Sequence, residues 1–287
     1  MTAKIMDGKL VASIVKEEVA RKVKQLNQKS VFPWLSTVLV GDNPASATYL
    51  KAKHKACEEV GIKSENHHLA NGTPQEKLET LIDQLNADKR VHGILVQLPL
   101  PKHLREGQVI ERISPVKDVD GLHPVNLGKL ASGFQGLVPC TPKGIMRLLH
   151  HYKIQVSGSR AVIVNRSNLV GRPLSMLLLN QDATVTLCHS KTRNLPELTS
   201  EADILVTAIG RPSITIGPEY VKKGATVVDV AINRVDGKLR GDLDYERVKN
   251  IAGYITPVPG GVGPMTVAML LENTVQAASS SLGVLDG

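Results

Sequence analysis

Apolar and polar residues follow one another along this chain in blocks that switch between two periods. Over residues 8–28 the apolar positions Val11, Ile14, Val15, Val19, Val23 and Leu26 recur at helical spacing and predict a helix with one buried face. "LSTVLVG" (35–41) is a continuous apolar run of strand length. Asn43-Pro44 then opens a helix running to about Val60, with Gly61 as its stop. "IKSENHHLA" is a weaker strand. In "TPQEKLETLIDQLNAD", Thr73 and Glu76 stand at capping-box spacing and Pro74 falls at the first helical position. "GILVQLPLP" (93–101) is another buried strand, ended by prolines. Strands alternating with helices in this way predict a parallel or mostly parallel sheet covered by helices.

Beyond "SPVKDVDGLHPVN" the character changes. "CTPKGIMRLLHHY" offers Thr141 as an N-cap and Pro142 at the first helical position, so a helix leads into a second unit. That unit alternates again: strand 160–165, helix 173–180, strand 183–188, helix 195–200, strand 203–209, short helix 218–222, strand 225–232. The pattern is that of a compact doubly wound domain. A Gly/Pro-rich loop and an apolar helix from about Pro264 end the chain.

At 287 residues, 42% hydrophobic and 22% charged, the chain has the make-up of a globular protein of one large or two modest domains. No apolar run approaches the ~18–20 residues that span a bilayer, and the N-terminus lacks a signal peptide's apolar core. Three widely spaced cysteines, Cys57, Cys140 and Cys188, fit a reducing cytosol better than a disulfide framework. The formal charge of +8 comes with only 3% aromatic residues and no basic block interleaved with them. That argues against nucleic acid and leaves a polyanionic small substrate or cofactor as the partner to expect. The nine histidines include no pair at metal-ligand spacing, so no metal is expected, and no G-x-S-x-G elbow or Walker loop is present.

"AVIVNRSNLVGRP" (161–173) is a strand, a turn and a helix start, the place of the dinucleotide fingerprint G-x-G-x-x-G. Asn165 and Ser167 stand where the first two glycines belong. Gly171 still allows close packing, the Ser167 hydroxyl can donate to phosphate, and Asn165 tolerates left-handed dihedrals better than most residues. By itself the turn fits an empty strand–turn–helix as well as a ligand site. The next strand separates the two readings. An NAD site carries an acid near its end, whereas "ATVTLCHSKTRN" supplies Ser190, Lys191 and Arg193, with Arg166 in the preceding turn. Cations and hydroxyls there suit a 2′-phosphate and hence NADP.

The helix 44–60 carries Ser46, Tyr49 and Lys53 at offsets that project from one face. Gln97 interrupts an apolar strand and needs a polar partner. "KDVDG" places Asp118 and Asp120 at the carboxyl edge of the sheet, where open α/β folds bind ligands. A lysine facing a glutamine and an aspartate can act as a proton carrier when its surroundings tune it.

Together "YLKAKHKACEEVGI", "GILVQLPLP", "KDVDGLHPVNLG", "PCTPKGI", "NRSNLVGRP" and "ITPVPGGVGPMTVAML" resemble the bifunctional methylenetetrahydrofolate dehydrogenase/methenyltetrahydrofolate cyclohydrolase family over about residues 5–280. The resemblance implies an α/β chain of two domains with a cleft between them. A folate-binding catalytic domain would span 1–140, joined by the C-terminal helix 264–287, and a Rossmann-like NADP-binding domain 141–263. It implies oxidation of 5,10-methylenetetrahydrofolate with NADP, then hydrolysis to 10-formyltetrahydrofolate, as in one-carbon metabolism and purine biosynthesis. Lys53 would move the proton and Gln97 would hold and tune it. Tyr49 would stack on the aminobenzoate, Asp120 would bind the pterin, and Ser46 would lie nearby. Asn165, Arg166, Ser167, Gly171, Ser190 and Ile232 would meet the NADP, while Pro259 and Gly260 belong to a loop (259–263) that closes over the substrate. A cytoplasmic homodimer acting on folate, polyglutamylated or not, completes the expectation.

Two positions depart from the family, which usually has glycine where Asn165 and Ala231 stand. Both lie where backbone approaches cofactor, and Ala231 is the milder change unless its φ is positive. The alternatives are an NAD-dependent or monofunctional dehydrogenase, disfavoured by the basic cluster and the Lys53/Gln97 pair, and a non-catalytic folate- or nucleotide-binding module.

Overall fold

The structure is a computed structural model that describes residues 2–235, 237–281 and 283. It divides into two compact units, residues 1–13 with 141–266, and residues 14–140 with 267–287.

In the second of these, β2 (Trp34–Val40) lies between β3 (Lys63–Leu69) and β4 (Gly93–Val96), all parallel. The apolar run expected over 93–101 is paired only as far as Val96. At that point the Gln97 N–H still reaches the Val38 carbonyl (2.9 Å), and the proline-rich stretch beyond leaves the ladder. Val38, Val40, Ile94 and Val96 pack on Leu78, Ile82 and Leu85 of α3 (Gln75–Ala87). Helix α3 starts one residue later than the sequence implies. Pro74 occupies the cap position and Thr73 is buried, so the expected capping box does not form. Helix α2 (Pro44–Val60) does begin as anticipated, with Asn43 Oδ1 accepting the Ser46 N–H (3.1 Å), and it ends at Gly61 with φ +80°. Helices α4 (Glu106–Arg112) and α5 (Pro124–Ala131) follow.

The other unit has one six-stranded parallel sheet, with strands β1 (Lys4–Ile5), β5 (Arg160–Val164), β6 (Thr184–Cys188), β7 (Ile204–Thr207), β8 (Thr226–Asp229) and β11 (Tyr254–Ile255). Their order across the sheet is β1-β11-β8-β7-β5-β6. Val162, Val164, Leu205, Val227 and Ile255 share its apolar core. From β5 the chain moves out to β6 and then returns to β7 on the other side. The strand order therefore reverses between β5 and β7. A hairpin of β9 (Asn233–Val235) and β10 (Lys238–Arg240) and the short α9 (Tyr245–Val248) were not expected. Nor was β1, which pairs with β11 and so groups residues 1–13 with this sheet rather than with the N-terminal domain expected over 1–140.

Helix α1 (Gly8–Gln28) matches its pattern. Helix α6 (Cys140–His151) begins earlier than its expected cap. Thr141 lies inside the first turn and pairs its hydroxyl with that of Thr266 (2.9 Å). Helix α7 (Gly171–Leu179) starts two residues before Pro173, and α8 spans Leu195–Thr199. Helix α10 (Val262–Ser280) replaces the expected 264–287, whose residues 282 and 284–287 lie outside the described residues.

Candidate active site

Helix α2 is anchored through His54 to Thr37 of β2 and Ser64 of β3. Ser36 and Thr37 of β2 are fully buried, so each must find a hydrogen-bond partner. Ser36 donates to Glu65 Oε1 (2.6 Å), Thr37 meets both Asn66 Oδ1 and His54 Nε2 (3.0 Å each), and His54 Nδ1 meets Ser64 Oγ (2.8 Å). Burial, and then the neighbouring Lys53, lower the His54 pKa. With His54 held by β2 and β3, the next residue back is turned by one helical step.

That step presents Lys53 to the end of β4, where Nζ donates to Gln97 Oε1 at 3.0 Å. The glutamine cannot turn freely, because its Nε2 donates to the Leu98 carbonyl (2.7 Å), which leaves the oxygen facing the ammonium. Tyr49 lies on the same helix with its ring half exposed, and Ser46 is buried.

Asp118 and Asp120 have separate tasks. Asp118 is buried, forms an isolated bridge to Ile94, and accepts the His123 N–H (2.8 Å) and Asn126 Nδ2 (2.9 Å). It fixes the loop. Asp120, two residues on, keeps partial solvent access, yet the protein mass around it pushes its carboxyl above the usual carboxylate range. The charge of Lys53 pulls the other way, Asp118 adds to the rise, and a hydrogen bond with Cys140 opposes it. Lys53 thus meets Gln97 through a hydrogen bond and Asp120 through its charge, at the carboxyl edge of the three-stranded sheet.

In the six-stranded sheet, a cavity of about 210 Å³ opens at the carboxyl ends of β5, β6 and β7, where the strand order reverses. Arg166, His189, Ser190 and Arg211 line it together with apolar residues including Leu195 and Ile209. No acid is among its lining residues, and an apolar floor with a cationic rim fits an adenosine bearing a 2′-phosphate. Lys191 and Arg193 of the expected cluster are exposed and do not line it. Arg211 does, and the sequence does not mark it, because it lies 45 positions beyond Arg166 and belongs to no recognisable motif.

The loop carrying Arg211 is set by two buried acids. Asp242 accepts the N–H groups of Ile209 (2.6 Å) and Gly210 (3.0 Å), while Asp229 accepts those of Ala231, Asp242 and Leu243. Burial raises Asp229 to about 6 and also raises Asp242. Ala231 is buried and its φ is not positive, so the residue imposes no backbone strain there. Ile232 is half exposed.

Asn165 is not left-handed either. Its side chain, not its backbone, shapes the turn. Oδ1 accepts from Ser167 N and Ser167 Oγ (2.7 Å each) and from Gly171 N (3.0 Å). The Ser167 hydroxyl proton, expected to be free for phosphate, is committed here. A Cβ on Gly171 would stand 2.2 Å from the Asn165 carbonyl oxygen, so that position requires glycine. Pro259 and Gly260 lie in the loop before α10, where the Gly260 carbonyl accepts the Gly8 N–H (2.9 Å).

Residues 6–120 match the catalytic domain of tetrahydrofolate dehydrogenase/cyclohydrolase, and residues 139–282 match its NAD(P)-binding domain. The chain belongs to the tetrahydrofolate dehydrogenase/cyclohydrolase family. Among members of that family, the bifunctional protein FolD of Campylobacter concisus is 54% identical over 97% of this chain and 99% of its own. FolD of Bacillus pumilus is 53% identical over 98% and 100%. The crystal structure of the bifunctional dehydrogenase/cyclohydrolase from Campylobacter jejuni superposes with a TM-score of 0.95 at 50% identity, covering 97% of this chain and 99% of that one. The dehydrogenase-cyclohydrolase of Trypanosoma brucei, solved with NADP and an inhibitor, gives a TM-score of 0.94 at 37% identity over 99% and 100%. Like this family, the chain pairs an α/β catalytic domain with a parallel-sheet nucleotide domain. Among the described residues no helix is long and apolar enough to cross a membrane.

Proposed function

We propose that this chain oxidises 5,10-methylenetetrahydrofolate with NADP and hydrolyses the resulting methenyl compound to 10-formyltetrahydrofolate, with Lys53 and Gln97 at the centre of the second step. The observation that carries this is the 3.0 Å hydrogen bond between Lys53 Nζ and Gln97 Oε1 beside Asp120. When bound, NADP supplies the acceptor for the hydride. Loss of hydride from the bridging carbon leaves a cation stabilised by its two nitrogens and releases no proton, so the protein's part in that step is to position the reactants. Hydrolysis differs. Water adds to the methenyl carbon and loses both of its protons as its oxygen becomes the formyl oxygen; one proton goes to the nitrogen whose bond to that carbon breaks, and the other is released. Lys53 is the group placed to move these protons, and Gln97 fixes its Nζ.

Asp120 serves as the acceptor for the pterin's N–H groups, Tyr49 offers an exposed ring face to the aminobenzoate, and Ser46 lies one turn before it. Arg166, Ser190 and Arg211 face the 2′-phosphate, the turn from Asn165 through Ser167 to Gly171 carries the phosphates between the nucleosides, and Ile232 and the loop at Pro259 and Gly260 complete the set. A cytoplasmic homodimer that also accepts polyglutamylated folate belongs to the same reading; sedimentation of the purified chain checks the assembly. The activity itself is tested by following NADP reduction with methylenetetrahydrofolate, in parallel with NAD, and the decay of methenyltetrahydrofolate absorbance. Absence of reduction with either cofactor rejects the dehydrogenase, and unaccelerated methenyl decay rejects the cyclohydrolase.

A further inference from the structure

The dinucleotide fingerprint leaves its turn open. Glycines let backbone approach phosphate and contribute no side-chain group of their own. In this chain the first fingerprint position is filled by a carboxamide whose hydrogen bonds are satisfied within the protein. Asn165 Oδ1 takes three donors, the N–H and hydroxyl of Ser167 and the N–H of Gly171, the first residue of α7. Nδ2 donates to the Ala208 carbonyl just beyond β7 at 2.7 Å. Ser167 Oγ in turn accepts the Val170 N–H (3.1 Å). One side chain therefore ties the end of β5 to the start of α7 and, across the point where the strand order reverses, to the end of β7. Within the same loop, the N–H groups of Arg166, Asn168 and Leu169 have no protein acceptor among the described residues.

We propose that Asn165 is a positioning residue for NADP: its carboxamide holds the 165–171 turn in its binding shape before the cofactor arrives, and leaves phosphate recognition to the uncommitted N–H groups of residues 166, 168 and 169. The proposal rests on the NADP-dependent reading above. A turn organised in advance loses less conformational freedom on binding, so affinity gains without any new contact to the ligand. By the same reasoning, glycine at 165 weakens binding, although glycine is the residue of the fingerprint.

Two variants test this, Asn165→Ala, which deletes the carboxamide, and Asn165→Gly, which restores the fingerprint residue. Each loses the hydrogen bonds of the Asn165 carboxamide, and KM for NADP is expected to rise about tenfold, the equivalent of one or two net hydrogen bonds. The rise in KM for NADP should exceed any fall in kcat at saturating NADP. Cyclohydrolase turnover of methenyltetrahydrofolate consumes no NADP, so it reports folding separately. An unchanged or lowered KM overturns the proposal, as does a fall in cyclohydrolase activity parallel to the loss of NADP binding. Amide hydrogen exchange on the wild-type protein gives a second test independent of any variant. Ser167 and Gly171 should be protected without cofactor, while Arg166, Asn168 and Leu169 should gain protection only with NADP. Equal exchange at all five overturns the proposal. A wild-type chain that reduces no NADP would instead reject the underlying function, a result seen before any variant is made.

Discussion

Lys53 Nζ and Gln97 Oε1 stand 3.0 Å apart, joining the middle of α2 to the residue immediately after β4. The pair exists because two neighbours are fixed independently, His54 by the polar ladder on β2 and β3, and the Gln97 amide by the Leu98 carbonyl.

Replacing Lys53 with Met keeps most of the apolar stem and removes the nitrogen. Cyclohydrolase turnover should fall at least ~100-fold, the usual contribution of one acid–base group. Hydride transfer, which moves no proton, should fall much less. The two activities measured on one preparation decide this, and retained hydrolysis removes Lys53 from the mechanism.

Arg166 and Arg211 line one cavity from two different loops. Alanine at either should raise KM for NADP by roughly tenfold or more while changing KM for NAD little, because only NADP carries the phosphate such cations engage. Equal losses for both cofactors would refute the 2′-phosphate assignment.

Asp118 anchors the loop on which Asp120 rides. Asp118→Ala strands the His123 N–H and one N–H of the Asn126 amide, whose other N–H stays on the Pro115 carbonyl, at a cost of about 2–4 kcal/mol in unfolding free energy. Urea denaturation reads that loss. Because the loop shifts with it, KM for folate should rise more than KM for NADP.

The carboxyl of Asp229, raised by burial to about 6, predicts a pH signature. A carboxyl whose folded pKa exceeds its unfolded value of about 4 binds more protons in the native state between those two values. Its favourable contribution is complete below about pH 4 and is lost as pH rises through about 6. The stability gap between wild type and Asp229→Asn should therefore narrow, by roughly 2 kcal/mol, from pH 4 to 6.5. Parallel melting curves across that window would contradict the assignment.

Most of this architecture was legible because long elements bury whole faces. The period of α1 and the apolar runs of β2 and β5 follow from hydration alone. The failures have local causes. Strands β1 and β11 contain two residues each, too few for any period to show. Thr73 and Thr141 carry the chemistry of caps but are drawn inward, one by burial and the other by Thr266. Within the site, Lys53 and Gln97 could be singled out because one shares a helix face with Tyr49 and the other is polar in an apolar run. Arg211 offered no such contrast. Asn165 was noticed, but for its backbone; how many donors its carboxamide gathers depends on where α7 begins, which hydropathy resolves only to a few residues.

The pairing of β1 with β11 also bears on how the chain is made. Lys4 lies opposite Tyr254, so this strand meets its partner only after 250 further residues have been made. At ordinary translation rates of about 5–20 residues per second, that edge strand waits on the order of tens of seconds for its neighbour. The six-stranded sheet therefore closes only once β11 has been made, while β2, β3 and β4, which all lie between residues 34 and 96, can pair much earlier.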